Sequence, residues 1–201
     1  MSLPTPRRFL TSLLSPPPEA PIPTLPSSAK PALLTLHHLF PHTLLHALDL
    51  LDRNLVTRLT VPVPSSPNSS IPNSGITAPT RPNPPLYLVH SAQTPRPNTR
   101  DRDTTGTIYE VRPWAWSCSC AAFAFAAFPA RDASPSDAAI EVPELALDAW
   151  IWGGPAHDPG VPPVCKHLLA AMLAEKWGLG DVPTRDVTRE EVAGWGAGFG
   201  D

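Results

Sequence analysis

Apolar residues recur at helical spacing in several parts of the chain. Two such stripes, over about 31–40 and 41–55, meet at a proline and predict an N-terminal helical hairpin whose second helix is amphipathic. A further stripe begins near Lys166 and runs to a stop signal at Gly178. The short apolar segment 121–128 is compatible with one more small helix.

Runs of β-branched and aliphatic residues predict strands over 55–63, 86–90 and 107–111. We expect them to form an antiparallel sheet of about three strands. The sequence therefore predicts a small α+β domain, in which this sheet is combined with the helical hairpin and with a C-terminal helix.

Proline accounts for 29 of the 201 residues, against an average of about 5% in proteins. Because proline has no backbone N–H, the stretches that are richest in it are expected to lie outside packed structure. These stretches are a disordered arm over 1–26 and flexible insertions near 64–85 and 130–163. A single domain is then expected over 27–180, followed by a weakly ordered tail over 181–201.

The charge balance argues against a protein whose main task is to bind phosphates. The chain has 15 Lys and Arg residues against 18 Asp and Glu residues, a formal net charge of -3, whereas nonspecific nucleic-acid affinity comes from clustered cations. Any contact with DNA is therefore expected to be weak, or to be made beside a more basic partner.

The sequence also bears on location. The longest apolar run, 121–128, is far shorter than the roughly 20 residues that cross a bilayer. The odd number of cysteines, 3, favours an intracellular and reducing compartment. The lack of acidic residues before Glu19 keeps an N-terminal transit peptide open as an alternative.

All 3 cysteines and one histidine fall into two close pairs, Cys118-x-Cys120 and Cys165-x-His167. Three thiolates and one imidazole are a complete ligand set for tetrahedral zinc. Four protein ligands leave the metal no open position for substrate or water, so a zinc ion held in this way is expected to be structural.

The spacing also constrains the backbone. Two sulfur ligands of one tetrahedral zinc lie about 3.8 Å apart, closer than side chains at i and i+2 on a flat strand, so Ser119 is expected in a bend. Residues at i and i+2 on a helix point about 200° apart. We therefore expect Cys165 just before the C-terminal helix and His167 in its first turn, where the helix N-terminus stabilises a nearby thiolate.

Other interpretations stay open at this point. One alternative is that the cysteines are buried free thiols, and a second is that Cys118 and Cys120 form a strained disulfide. A third is that a Cys–His pair supports redox or acyl-transfer chemistry. The paired spacing counts against scattered thiols. His157, within the 130–163 insertion, competes with His167 as the fourth ligand, but its Pro- and Gly-rich surroundings suit the start of a helix less well.

Taken together, these residues resemble a known family. Cys118-x-Cys120 followed by Phe123, with Cys165-x-His167-x-x-Ala170, resembles the SWIM-type zinc finger. The string Ala-Leu-Asp-Leu-Leu-Asp-Arg over 47–53, leading into Val-Thr, is similar to the SWIM-domain subunit of the Shu complex. The resemblance covers three patches across about 31–177, and the gap between the ligand pairs is longer than the family's usual one.

The resemblance implies a non-enzymatic subunit of the nucleus. Such a subunit pairs with paralogues of the RecA-like recombinase and promotes or protects recombinase filaments on single-stranded DNA during homologous recombination. One structural zinc ion, held by Cys118, Cys120, Cys165 and His167, is implied, with no small-molecule substrate. A DNA-binding or regulatory SWIM finger is the alternative, and the lack of a basic stripe beside the motif counts against it.

Overall fold

Residues 5–15, 29–62, 84–92, 106–128, 150–154 and 162–197 are described in the computed structural model of the chain. They contain six helices and five strands, so the expected α+β class is confirmed. The helices are α1 (Pro6–Leu14), α2 (Ala29–Leu39), α3 (Pro41–Asp52), α4 (Ala121–Ala127), α5 (Lys166–Trp177) and α6 (Arg189–Gly196). The strands are β1 (Val56–Thr60), β2 (Leu86–His90), β3 (Ile108–Arg112), β4 (Ser117–Cys118) and β5 (Thr184–Asp186).

The sheet has the strand order β4-β3-β2-β1-β5. The pairs from β1 to β4 are antiparallel, as expected, whereas β5 pairs with β1 in parallel. The sequence predicted β1, β2 and β3 but neither edge strand. β4 is two residues long, and the side chains of β5 are all exposed, so neither strand carries the apolar pattern that identifies a strand in a sequence.

The two faces of the sheet are covered by different helices. On one face, alternate residues of β1, β2 and β3 join a core with α1, α2, α3 and α5. On the other face, Leu59, Leu86 and Leu88 form a smaller cluster, against which Val192 and Trp195 of α6 pack. Most of α5 is buried, which explains why this helix has little amphipathic character. The helix α5 is thus central to the fold.

The expectation of a disordered arm over 1–26 is wrong for the part that the structure describes. Pro6 occupies the first turn of α1, where a helix needs no N–H from it, and Thr5 caps the helix. Leu10 and Leu14, one turn apart, are buried in the main core. Each such burial stabilises the fold by about 1.5–3 kcal/mol. The rest of the arm, 1–4 and 16–26, lies outside the described residues.

The tail over 181–201 also has more structure than expected. The side chain of Thr188 caps α6 by accepting a hydrogen bond from the backbone N–H of Glu191 at 3.1 Å. Arg185 of β5 forms an ion pair with the carboxylate of Glu191. The strand and the helix are therefore tied to each other and to the second face of the sheet.

One short stretch of the 130–163 insertion also contradicts the expectation of a flexible loop. Trp152 is completely buried, and its ring stacks on Phe40 and packs against Trp116. Its backbone N–H donates to Thr11 at 3.0 Å, and its carbonyl accepts from Arg7 at 2.9 Å. The stretch 150–154 is thus anchored to α1. Nearly all of the 64–85 insertion lies outside the described residues.

Candidate metal centre

The two ligand pairs are presented by strand ends and helix starts. β4 ends at Cys118, and Cys120 is the N-cap residue of α4. Cys165 is the N-cap residue of α5, and His167 lies in the first turn, as the sequence predicted. Between the first pair, Ser119 bonds twice to Glu110 of β3, since its N–H donates at 3.0 Å and its Oγ accepts at 2.9 Å. These bonds hold the turn that points both sulfurs to one side.

The four side chains converge although the pairs are far apart in sequence. One ligand atom from each of Cys118, Cys120, Cys165 and His167 lies within 4.8 Å of all the others, and all four residues are buried. The Sγ atom of Cys118 lies 3.9 Å from Nδ1 of His167. We call this set the Cys3His group.

The separations fit one tetrahedral ion. Bond lengths of about 2.3 Å for zinc to sulfur and about 2.0 Å for zinc to nitrogen place neighbouring ligand atoms about 3.5–3.8 Å apart. The observed separation of 3.9 Å between sulfur and nitrogen is within a few tenths of an ångström of that range. The other ligand atoms, all within 4.8 Å of one another, need to approach by about 1 Å at most for one ion to bind all four residues.

Backbone N–H groups support negative charge on two of the sulfurs. The sulfur of Cys120 accepts from the N–H of Phe123 at 3.3 Å, and that of Cys165 accepts from the N–H of Leu168 at 3.4 Å. Both sulfurs thus lie at helix N-termini, where free N–H groups and the helix dipole stabilise a thiolate. The geometry favours the ionised cysteines that a metal requires.

The thiols also shift one another's proton affinity. Hydrogen bonds from the side chains of Cys118 and Cys165 lower the pKa of Cys120 well below the usual value for a thiol. The same hydrogen bond to Cys120, with a second to Cys165 and burial, raises the pKa of Cys118. Hydrogen bonding among the thiols by itself therefore favours ionisation of one of the three, whereas a bound divalent cation stabilises all three as thiolates.

Aromatic side chains pack around the group. The ring of Tyr109 on β3 stacks on His167 with the centroids 4.3 Å apart. Trp116 donates its indole N–H to the carbonyl of Pro163 at 2.7 Å, which ties the turn before β4 to the segment that leads into α5. Nε2 of His167 is buried without a hydrogen-bond partner among the described residues. The stacking of Tyr109 and the hydrogen bond from Trp116 thus hold the two halves of the site together.

The geometry of the three cysteines bears on the alternatives that the sequence left open. All three cysteines are free, so the disulfide between Cys118 and Cys120 is not formed. The three sulfurs are clustered and not scattered, which argues against independent core thiols. Ala170 of the family-like motif is completely buried in the main core. His157 lies outside the described residues, and its competition with His167 stays untested.

A cleft of about 360 Å³ opens beside the Cys3His group. Cys120, Cys165 and His167 line it, whereas Cys118 does not. Its other walls come from the first turns of α3, the end of β2, the strand β3 and the starts of α4 and α5. The lining residues there are His42, Thr43, His46, Ser91, Tyr109, Ala121, Ala122, Val164 and Lys166. The group is thus buried but has one side facing this cleft.

The sequence did not predict that α1 and Trp152 pack in the core beside the site. α1 and Trp152 reach the core next to Trp116, which immediately precedes β4. The pair Leu10 and Leu14, at helical spacing in a proline-free window, was the available signal for α1. The surroundings of Trp152 carry no comparable pattern, because its burial depends on residues far along the chain.

The fold and the site define a small α+β protein with a buried Cys3His group suited to a metal ion. A scan against models of known protein families gives no match for this chain. A search of curated protein sequences gives no significant match either. Among the described residues, no helix is both long enough and apolar enough to span a membrane.

Proposed function

We propose that this chain is a SWIM-type zinc protein that acts as a non-enzymatic partner subunit in homologous recombination. The observation that carries the proposal is the Cys3His group itself, whose Cys-x-Cys and Cys-x-His pairs have the family's spacing and converge on one buried point. The Ala-Leu-Asp-x-x-Asp-Arg string of α3 adds the likeness to the Shu-complex subunit.

Zinc is the metal that fits this donor set best. Thiolates are soft ligands that favour zinc over magnesium, calcium or manganese, and a tetrahedral set of sulfur and nitrogen ligands is typical of structural zinc. All four donors are buried and come from the protein. The bound ion therefore has no free position for a substrate, which supports a structural and non-catalytic role.

Two surfaces support docking to another protein. Phe125 and Phe128, at the end of α4 that lies away from Cys120, are 79% and 82% exposed among small alanine side chains. Exposed large apolar side chains of this kind are common at interfaces. At the end of α3, Asp49 forms an exposed ion pair with the C-cap residue Arg53, while Leu50 of the same string is buried. The charged half of the family-like string is therefore available to a partner.

The partner that we propose is a RecA-fold recombinase paralogue, and the assembly acts in the nucleus on recombinase filaments on single-stranded DNA. The net charge of -3 supports action through protein contact, since it disfavours strong binding of DNA by this chain alone. The zinc ion keeps α4 and α5 in fixed positions, so that the surface formed by Phe125 and Phe128 is preformed for docking.

Affinity capture from cells, with identification of the copurifying chains by mass spectrometry, tests this proposal. We expect a RecA-fold chain to copurify with the wild-type protein. In the double variant Phe125→Ser/Phe128→Ser, the amount of that chain should fall by at least about tenfold. Leu34→Ser is the matched control, because Leu34 is 70% exposed on α2. Capture without any RecA-fold chain, or tight and salt-sensitive DNA binding by the isolated protein, would contradict the proposal.

A further inference from the structure

A second set of metal-binding side chains faces the cleft beside the Cys3His group. His42 and His46 are exposed on α3, and both line the cleft that Cys120, Cys165 and His167 also line. Within the described residues, neither imidazole takes part in a hydrogen bond or an ion pair that would occupy its nitrogens. Both are therefore available as ligands on the solvent side of the site.

The spacing of these two histidines suits a shared ion. Residues at i and i+4 lie about 6 Å apart along one face of a helix. Two histidines at this spacing bind one zinc ion in helical metal sites, and neutral imidazole is the commonest metal ligand in proteins. α3 is regular through both positions, from Pro41 to Asp52. The helix thus presents two nitrogen donors to one side of the cleft.

We propose that His42 and His46 form a second, labile site for a divalent cation, from which the Cys3His centre is loaded through the cleft. The loading role rests on the proposed zinc centre, whereas binding of a cation by the histidine pair does not. Two protein ligands leave the remaining positions of the ion to water, so this site exchanges its ion more readily than a closed site with four ligands.

The surroundings of the cleft suit a site that releases its ion. Lys166 lines the same cleft, and its positive charge weakens the binding of any cation there. Cys120 and Cys165 line the same cleft, and their thiolates bind zinc more strongly than a pair of imidazoles does. An ion held by the histidines therefore has a path toward stronger ligands.

Titration calorimetry with the zinc-loaded, full-length protein tests the binding step, with zinc chloride and copper(II) chloride as probes. We expect one further equivalent of metal, weakened about tenfold or more in His42→Ala and in His46→Ala, because each variant keeps only one of the two ligands. His37→Ala is the matched control, since His37 is an exposed histidine of α2 outside the cleft. Absence of the further equivalent, or equal affinity in all variants, overturns the proposal.

Isotope exchange tests the loading step on the same folded protein. The protein is loaded with zinc of natural abundance and mixed with zinc-67, and native mass spectrometry follows the tightly bound ion. We expect slower exchange, by about threefold or more, in the double variant His42→Ala/His46→Ala, with the same final occupancy. Exchange at the wild-type rate overturns the loading role. If the wild-type protein holds no tightly bound zinc before the experiment, the zinc centre of the proposed function is overturned. The calorimetric result for the two histidines does not depend on that outcome.

Discussion

Replacing Cys165 by serine separates its contribution as a metal ligand from its contribution as a helix cap. Cys165 is the N-cap residue of α5, it is 5% exposed, and its sulfur accepts from the N–H of Leu168 at 3.4 Å. Serine is similar in size and is a favoured N-cap residue, so capping alone would stabilise the variant by up to about 1 kcal/mol. A hydroxyl does not replace a thiolate as a soft ligand for zinc. The two contributions therefore have opposite signs.

The expected loss follows from the number of ligands. Structural zinc sites contribute about 10–16 kcal/mol, which is about 2.5–4 kcal/mol for each of four ligands if the total is shared evenly. After subtraction of a capping gain of about 1 kcal/mol, the free energy of unfolding should fall by about 1.5–3 kcal/mol. For a protein of this size, such a loss lowers Tm by about 3–12 °C.

Thermal unfolding followed by tryptophan fluorescence, with zinc content measured on the same samples, checks this prediction. Cys120→Ser should behave alike, because Cys120 caps α4 in the same way. Ser12→Ala is the control: Ser12 is exposed on α1, away from the four ligands, and the variant should keep its zinc with a loss of about 1 kcal/mol at most. If Cys165→Ser melts at or above the wild-type temperature, the cap is the main contribution of this residue and the reasoning fails.

Two further predictions concern the core. Leu14→Ala should lower the free energy of unfolding, measured in urea, by about 2–5 kcal/mol, because it leaves a cavity in the main core. The control Phe9→Ala, on the exposed side of α1, should lower it by only about 1 kcal/mol. Equal losses in the two variants would argue against a packed α1. Burial and a hydrogen bond with Glu175 raise the pKa of Tyr87. Its ionisation is thus favoured in the unfolded state, so wild-type stability should fall as the pH rises past the usual tyrosine value of about 10. Denaturation at about pH 8 and about pH 11 should show a smaller fall for Tyr87→Phe, and identical falls in both proteins would refute the assignment.

Local pattern was sufficient for much of the fold and for the candidate site. The strands β1, β2 and β3 carry the β-branched and aliphatic residues that suit a pleated surface, and α5 carries an apolar run between a cysteine and a glycine stop. The position of Cys165 before the helix followed from the geometry of residues two apart. In these places, neighbours within a few positions decide the conformation.

The sequence by itself determined which residues form the Cys3His group, how Cys165 and His167 meet α5, and the α+β class. Only the tertiary structure decided that α1 and Trp152 belong to the core and that β5 joins the sheet beside β1. Arg7 and Trp152 bond across 145 positions, and β5 has no apolar side that would mark it as a strand. Such elements are stabilised by surfaces and backbone groups that distant parts of the chain supply, and that information is absent from any local window of residues.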